Sequence, residues 1–416
     1  MSKTRYTVFL WDDVAGHLDV DRGRLSFTYR DSAVGAVSPI SISLPYKTEP
    51  YSDAEARPYF ENLLPETEFR HFITTQARIA DADTAGILGA IGGECLGAVS
   101  IWRGDLEKRP TGSYESTSVS RIGMLFNAPS DVELMNEQRK GRLSLPGALP
   151  KLTLRLDGSE WRLSRNGAET THILKRTSVG FPHLVENEYF CMQLAHQAGL
   201  SVAPVHVLDA GIPLLAIERF DRARVEGQVI RIHQEDFCQA AGCHPATTYE
   251  VDGGPGFDIV IRLLRENSAL PLADISSLIR WAILNYILGN EDAHAKNIAL
   301  LYRDDGVRLA PFYDIVSTEV YKGLPRKAAM AVGGERRLAY VHARHWKRLA
   351  EDVGLTARAV KRLLAETAER ASGVLTTVHD EAHEKLGDVP VHRHIGDLVK
   401  GRIDAIRAQL RNRNNE

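Results

Sequence analysis

Residues 289 to 317, GNEDAHAKNIALLYRDDGVRLAPFYDIVS, concentrate oxygen donors of the kind that phosphoryl transfer requires. That reaction asks little covalent chemistry of a protein. It needs a carboxylate to orient or deprotonate the attacking hydroxyl, hard oxygen ligands for magnesium, and a cation on the phosphates. Asp292 and Asn297 lie five positions apart, and Asp314 follows a hairpin pattern that turns at Asp304-Asp305-Gly306. Asp292 is the candidate base. Asn297 and Asp314 are the candidate Mg²⁺ ligands, because Mg²⁺ takes one or two protein oxygens and fills its remaining positions with water and phosphate. Lys296 can neutralise charge building on the transferred phosphoryl group. His294 can join the reacting set or hold the loop through its backbone, and the second role is preferred.

By itself, Asp-x₄-Asn could merely cap a turn. The spacing gains meaning from the residues downstream, since protein kinases separate base and metal-binding Asn by the same interval and place a second metal-binding Asp after a hairpin. Lys175 closes the strand THILKR and is the candidate phosphate-pairing lysine, to be fixed by Glu186 or Glu188 on the next helix. In LAIERFDR the backbone at Glu218 and Phe220 would meet adenine, and Asp221 would touch ribose or cap a turn. The run from Gly141 to Lys151, GRLSLPGALPK, matches neither common glycine-rich nucleotide pattern. It still offers backbone N–H groups around Gly147 and Ala148, with Lys151 at its end, to a phosphate.

These residues need elements to hold them. TRYTVFLW (residues 4–11) and the alternation Leu25, Phe27, Tyr29 read as strands, 54–89 as helical, and a further strand ends at Trp102. Residues 104–118 carry charge, Gly, Pro and Ser without periodicity and read as a linker. KLTLRL and SEWRLS flank Asp157-Gly158, a hairpin signal. An amphipathic helix is expected over 184–198, then strands at 202–208 and 212–217. Helices are expected at 234–241, 256–266, 272–289, 356–378 and 395–411. The resulting expectation is an α+β, two-lobed, kinase-like fold. Its parts are an N-terminal subdomain (1–103), a linker (104–135), a β-rich small lobe (136–222) and a mostly helical large lobe (223–416).

Composition narrows the class. With 44% hydrophobic and 25% charged residues, a sizeable core is affordable, and a net charge of −3 argues against a stand-alone nucleic-acid binder. Four scattered cysteines suit a reducing compartment, and Cys238, Cys243, His233 and His244 lack the spacing of a zinc site. No signal peptide and no apolar run of spanning length are evident, so a cytoplasmic protein without membrane association is expected.

The segments SLPGALPK, THILK, VENEYFCMQLA, LAIERFDR, HQEDFCQAAG, YEVDGGPG, NEDAHAKN and PFYDIVS, with IGGECLGAVSIW near the N-terminus, occur in an order that resembles the HipA family of serine/threonine kinase toxins. The resemblance spans the chain. It implies a lipid-kinase-related fold, ATP and Mg²⁺ as cofactors, Gln234 near the nucleotide, and Ser144 as an autophosphorylated serine whose modification ejects the phosphate loop. It further implies a protein substrate, often an aminoacyl-tRNA synthetase such as the glutamyl enzyme, with growth arrest and persistence as the outcome. A HipB-like helix-turn-helix antitoxin is the implied partner, with operator DNA bound mainly through it. Leu149-Pro150 departs from the best-known member's loop. Two other readings are a non-catalytic co-repressor and a small-molecule kinase of the aminoglycoside-phosphotransferase type, which the N-terminal subdomain and SLPG loop fit poorly.

Overall fold

The computed structural model describes residues 3–31, 38–147 and 151–411. The chain divides into two compact units: the first is Met1–Arg176, Leu208–Ala246 and Leu301–Arg303, and the second is Thr177–Val207, Thr247–Leu300 and Asp304–Glu416.

The first unit opens with β1 (Thr4–Leu10), β2 (Asp13–Asp21) and β3 (Arg24–Tyr29), continues through helices α1 (Asp53–Glu61), α2 (Thr67–Ala77) and α3 (Thr84–Ile91), and adds β4 (Val99–Arg103). These strands form an antiparallel sheet of order β3-β2-β1-β4. The alternation seen in the sequence is physical here: Leu25, Phe27 and Tyr29 are buried and their neighbours less so. Their face meets Tyr59, Phe60 and Leu88 from the helices in one core.

Residues 104–135 do not form a linker. They contain β5 (Ser113–Thr117) and α4 (Val119–Phe126), after which α5 (Val132–Gly141) leads to β6 (Lys151–Asp157), β7 (Glu160–Arg165) and β8 (His172–Arg176). Ser118 accepts from the Arg121 N–H and so starts α4 as an N-cap. Gly123 is required because a Cβ there would lie 1.9 Å from the Ala210 carbonyl oxygen. Ile122, Leu125 and Phe126 join Leu152, Leu154, Leu163 and Leu174 in a second core. A segment read as polar linker thus contributes one strand and one covering helix.

Helix α6 (Leu184–Gln197) belongs to the second unit. Strands β9 (Val205–Asp209) and β10 (Pro213–Glu218) come next, giving a sheet order of β5-β7-β6-β8-β10-β9. The hairpin β11 (Arg222–Val225) and β12 (Gln228–Arg231) was not anticipated. The helix expected at 234–241 is β13 (His233–Asp236) followed by the single turn α7 (Phe237–Ala240), where Asp236 caps.

The second unit continues with α8 (Phe257–Asn267), α9 (Pro271–Leu288), β14 (Ala299–Arg303), whose residues Leu301–Arg303 cluster with the first unit, β15 (Gly306–Leu309), α10 (Ala343–Asp352), α11 (Ala357–Leu386) and α12 (Pro390–Arg411). The thirty-residue α11 is the organiser, packing on α6, α9, α10 and α12. This is why α6 clusters here, although it was expected in the small lobe. Likewise 223–246, expected in the large lobe, clusters with the first unit.

Candidate active site

In the second unit, α9 ends at Gly289, whose φ of +65° turns the chain out of the helix. Asn290 then shapes the loop. Its Nδ2 donates to Asn285 Oδ1 at 2.8 Å, and its Oδ1 accepts from the Asp292 N–H at 3.1 Å. A short turn spans Ala295–Asn297, and Asn297 Nδ2 reaches back to the Asp292 carbonyl at 3.1 Å. The amide oxygen of Asn297 is therefore the end of the side chain left to a hard cation. One side chain thus ties the two chemical positions of the loop together.

The segment bearing Asp314 is laced to this loop. Tyr313 donates to the Lys296 carbonyl at 2.6 Å. Thr318 Oγ1 accepts from the Glu291 N–H at 2.8 Å and donates to the Gly289 carbonyl at 3.1 Å, and the Glu319 N–H meets the same carbonyl at 3.0 Å. Upstream, Phe312 stacks on Trp281 of α9, with centroids 5.6 Å apart at 15°. Downstream, Asn187 of α6 and Ser317 exchange two hydrogen bonds, Nδ2 to the Ser317 carbonyl at 2.9 Å and Ser317 N–H to Oδ1 at 2.8 Å, both residues being buried. Between these anchors Asp314 is held at φ +58°, a left-handed conformation that costs a non-glycine residue on the order of 1 kcal/mol.

His294 Nε2 lies 3.9 Å from Asp292 Oδ1, and its ring leans on Tyr249 at 5.7 Å. Tyr249 itself donates to Asp292 Oδ1. Sequence reasoning passed over Tyr249, Asn187 and Glu291. Glu291 is buried beside Asp292, with Arg326 Nη1 at 3.6 Å. Burial pushes its carboxyl up to about 7 despite that cation. The sequence signal for each was only its place in a family-like segment, YEVDGGPG for Tyr249, VENEYFCMQLA for Asn187 and NEDAHAKN for Glu291.

Among the described residues no group of three His, Cys, Asp or Glu could hold a metal ion. A magnesium site here would rest on Asn297 and Asp314 with phosphate and water. That donor set is chemically suited to Mg²⁺.

In the first unit, Lys175 on β8 stands opposite Lys151 on β6 and opposite Leu215 on β10. Lys151 Nζ donates to the Pro146 carbonyl at 2.6 Å, closing its loop, and Gly147 takes φ +105°. Ala148, with Leu149 and Pro150, lies outside the described residues. Ser144 is 0% exposed, and its Oγ donates to the Leu63 carbonyl at 2.8 Å. Glu218 ends β10 exposed and Phe220 is half-buried.

Asp221, expected at ribose or capping a turn, lies in the turn after β10, is 2% exposed and has both its oxygens engaged. Oδ1 accepts from Arg219 Nε at 2.9 Å. Oδ2 accepts from Arg219 at 2.8 Å, the Gly97 N–H at 2.7 Å and Gln234 Nε2 at 3.3 Å, and forms an ion pair with Arg222 Nη1 at 3.0 Å. Gln234, expected near the nucleotide, is thus a buried partner of Asp221. The cluster extends to Glu94, which pairs with Arg219 at 3.1 Å, Arg222 at 2.9 Å and Arg231 at 2.8 Å. Burial pushes the Glu94 carboxyl up, and Arg222, Arg231 and Arg219 overcome it and hold it at about 2. The four cysteines are free thiols, three of them buried.

An antiparallel-sheet unit carrying Lys151 and Lys175 on paired strands, with a helical unit carrying an Asp/Asn loop and a following Asp, defines a kinase-like α+β protein of two lobes. The comparisons specify the family. A model of the HipA N-terminal domain matches residues 6–102, and one of the HipA-like C-terminal domain matches 143–375. Y4mE of Sinorhizobium fredii, whose name assigns it kinase activity provisionally, is 37% identical over 412 residues, covering 96% of this chain and 98% of that protein. The serine/threonine-protein kinase toxin HipA of Shewanella oneidensis is 28% identical over 336 residues, covering 77% of this chain and 76% of that one. In a solved complex of Shewanella oneidensis HipA, HipB and operator DNA, a chain superposes with a TM-score of 0.85 at 24% identity, covering 98% of both chains. This chain belongs to the HipA family.

Proposed function

We propose that the protein is an ATP- and Mg²⁺-dependent serine/threonine protein kinase, the toxin of a toxin–antitoxin pair. The observation that supports this most is the lacing of Asp292, Asn297 and the strained Asp314 into one loop assembly. Asp292 accepts the proton of an acceptor hydroxyl as its oxygen bonds to the γ-phosphorus and the bond to ADP oxygen breaks. Asn297 and Asp314 would hold Mg²⁺, which when bound offsets phosphate charge, and Lys296 would add a cation. Lys175 and Lys151 would meet phosphate, and the backbone at Glu218 and Phe220 would meet adenine. The acceptor is a protein, and an aminoacyl-tRNA synthetase such as the glutamyl enzyme is the family's precedent, with growth arrest as its consequence.

The solved complex of HipA, HipB and operator DNA supports a HipB-like partner and operator DNA; that the partner is a helix-turn-helix antitoxin through which DNA is mainly bound is what the family resemblance implies. A cytoplasmic location fits this reading, and no helix among the described residues is long and apolar enough to cross a membrane. Ser144 is the proposed autophosphorylation site. Because its hydroxyl is buried against the Leu63 carbonyl, modification requires its loop to come out, and a phosphate of about −2 charge would then prevent return.

The test is incubation of the protein and its Asp292→Ala variant with labelled ATP and a bacterial lysate, with labelled bands identified by mass spectrometry. Asp292-dependent label on a protein band supports the proposal. Equal labelling, or label on small molecules alone, refutes it in favour of the co-repressor or small-molecule alternative.

A further inference from the structure

We propose that Tyr249 gates the acceptor position: its hydroxyl occupies the place on Asp292 that the serine or threonine hydroxyl of a protein acceptor must take. The inference rests on Asp292 being the base of the proposed kinase.

A general base must lie within hydrogen-bond reach of the proton it abstracts. In this structure the hydroxyl of Tyr249 donates to Asp292 Oδ1. The ring lies along His294, 5.7 Å away, and the residue is 37% exposed, so it stands at the surface of the site rather than in its foundation. The Asp292 side chain is 48% exposed.

The placement is built from both sides of one short strip. Glu250, beside Tyr249, donates its N–H to the Ala329 carbonyl at 3.1 Å, and its carboxylate accepts from the Ala331 N–H at 2.5 Å. The carbonyl of Glu291, beside Asp292, accepts from the Ala329 N–H at 2.8 Å. Ala329 therefore clips the tyrosine-bearing turn and the base-bearing loop to the same strip. The turn has little slack. Gly253 is at φ +94°, and a Cβ on Gly254 would lie 2.3 Å from the Thr247 carbonyl oxygen. An acceptor polypeptide that engages the strip can shift the Glu250 anchor, lift Tyr249 and present its own hydroxyl to Asp292. The γ-phosphoryl group then passes from ATP to that hydroxyl, with ADP leaving.

Two measurements test this. In the first, N-acetylimidazole modifies tyrosine hydroxyls, and acetylation of Tyr249 is followed by peptide mass spectrometry in the full chain and in Asp292→Ala. Protection in the parent and several-fold faster labelling in the variant are expected. Equal rates overturn the gate whatever the activity. In the second, Tyr249→Phe keeps the ring and removes the hydroxyl. With Mg-ATP and dephosphorylated casein as acceptor, kcat/KM for casein should rise about 10-fold, the order a hydrogen bond to a charged group supplies, with KM for ATP unchanged. An unchanged or lower value beside an active parent overturns the gate alone. So does phosphate on Tyr249 itself, which would make it a substrate. No Asp292-dependent transfer from either protein overturns the kinase reading and the gate with it.

Discussion

Lys151 and Lys175 stand directly opposite each other where β6 pairs with β8. Residues so paired point to the same face of a sheet, and like charges there repel. The arrangement makes physical sense if the face serves a polyanion. Replacing Lys175 by Met should abolish the rise in thermal midpoint that Mg-ATP gives the parent. At nucleotide a hundredfold above Kd that rise reflects about 2.7 kcal/mol. Lys151→Met should weaken nucleotide binding too, while changing the stability of the nucleotide-free protein by no more than about 1 kcal/mol. Differential scanning fluorimetry with and without nucleotide reads both.

Asp292→Asn should lower phosphoryl transfer by about 10² to 10⁴, the usual contribution of a general base, and leave the affinity for nucleotide unchanged. A labelled-ATP assay beside an equilibrium binding titration separates the two effects. Parallel loss of both would assign Asp292 to binding instead.

Asp314 sits in a left-handed conformation at φ +58°. Asp314→Ala should stay within about 1 kcal/mol of the parent, because aspartate already bears the cost of φ +58° that alanine would, whereas Asp314→Gly should be the more stable of the two variants by about 1 kcal/mol. Both should lose Mg²⁺-dependent transfer. Urea denaturation gives the stabilities, and a Mg²⁺ titration of activity gives the second result.

Asn187→Ala should destabilise the protein by on the order of 3 kcal/mol, since it strands the buried N–H and carbonyl of Ser317. It should also slow transfer, because Ser317 closes the segment that holds Asp314. Denaturation and single-turnover kinetics check the pair of effects.

Glu235 gives a pH dependence. Ser41 Oγ and Tyr302 Oη each donate to its carboxyl at 2.5 Å and the Ile42 N–H at 3.0 Å, yet burial outweighs these donors and pushes it up to about 7. The folded state therefore holds this proton more tightly than the unfolded chain. Its contribution is fully present below about pH 4.5 and is lost as pH rises through 7, an upper bound of about 3 kcal/mol. Denaturation between pH 4.5 and 8 should show that loss in the parent and a flatter profile in Glu235→Gln.

The sequence by itself determined the chemistry-bearing loop, the strand and helix sites flanking it, and the family. Those signals are local: Asp-x-His-x-Lys-Asn, a hairpin turn and Tyr-Asp sit within one stretch, and periodicity marks β3, α8 and α9 without reference to distant residues. The tertiary structure decided what depends on partners far along the chain. Residues 104–135 read as linker because their polar runs hide the apolar face that α4 buries against β6–β8. Asp221 read as a ribose contact or a turn cap because nothing nearby reveals that Gly97 lies against it and that Glu94 shares its arginines. Tyr249 stood in a family-like segment without a role of its own, since its pairing is a hydrogen bond across 43 positions to Asp292. Spacing along a chain can place side chains on one loop, but burial and long-range hydrogen bonds decide which of them face solvent and which are already taken.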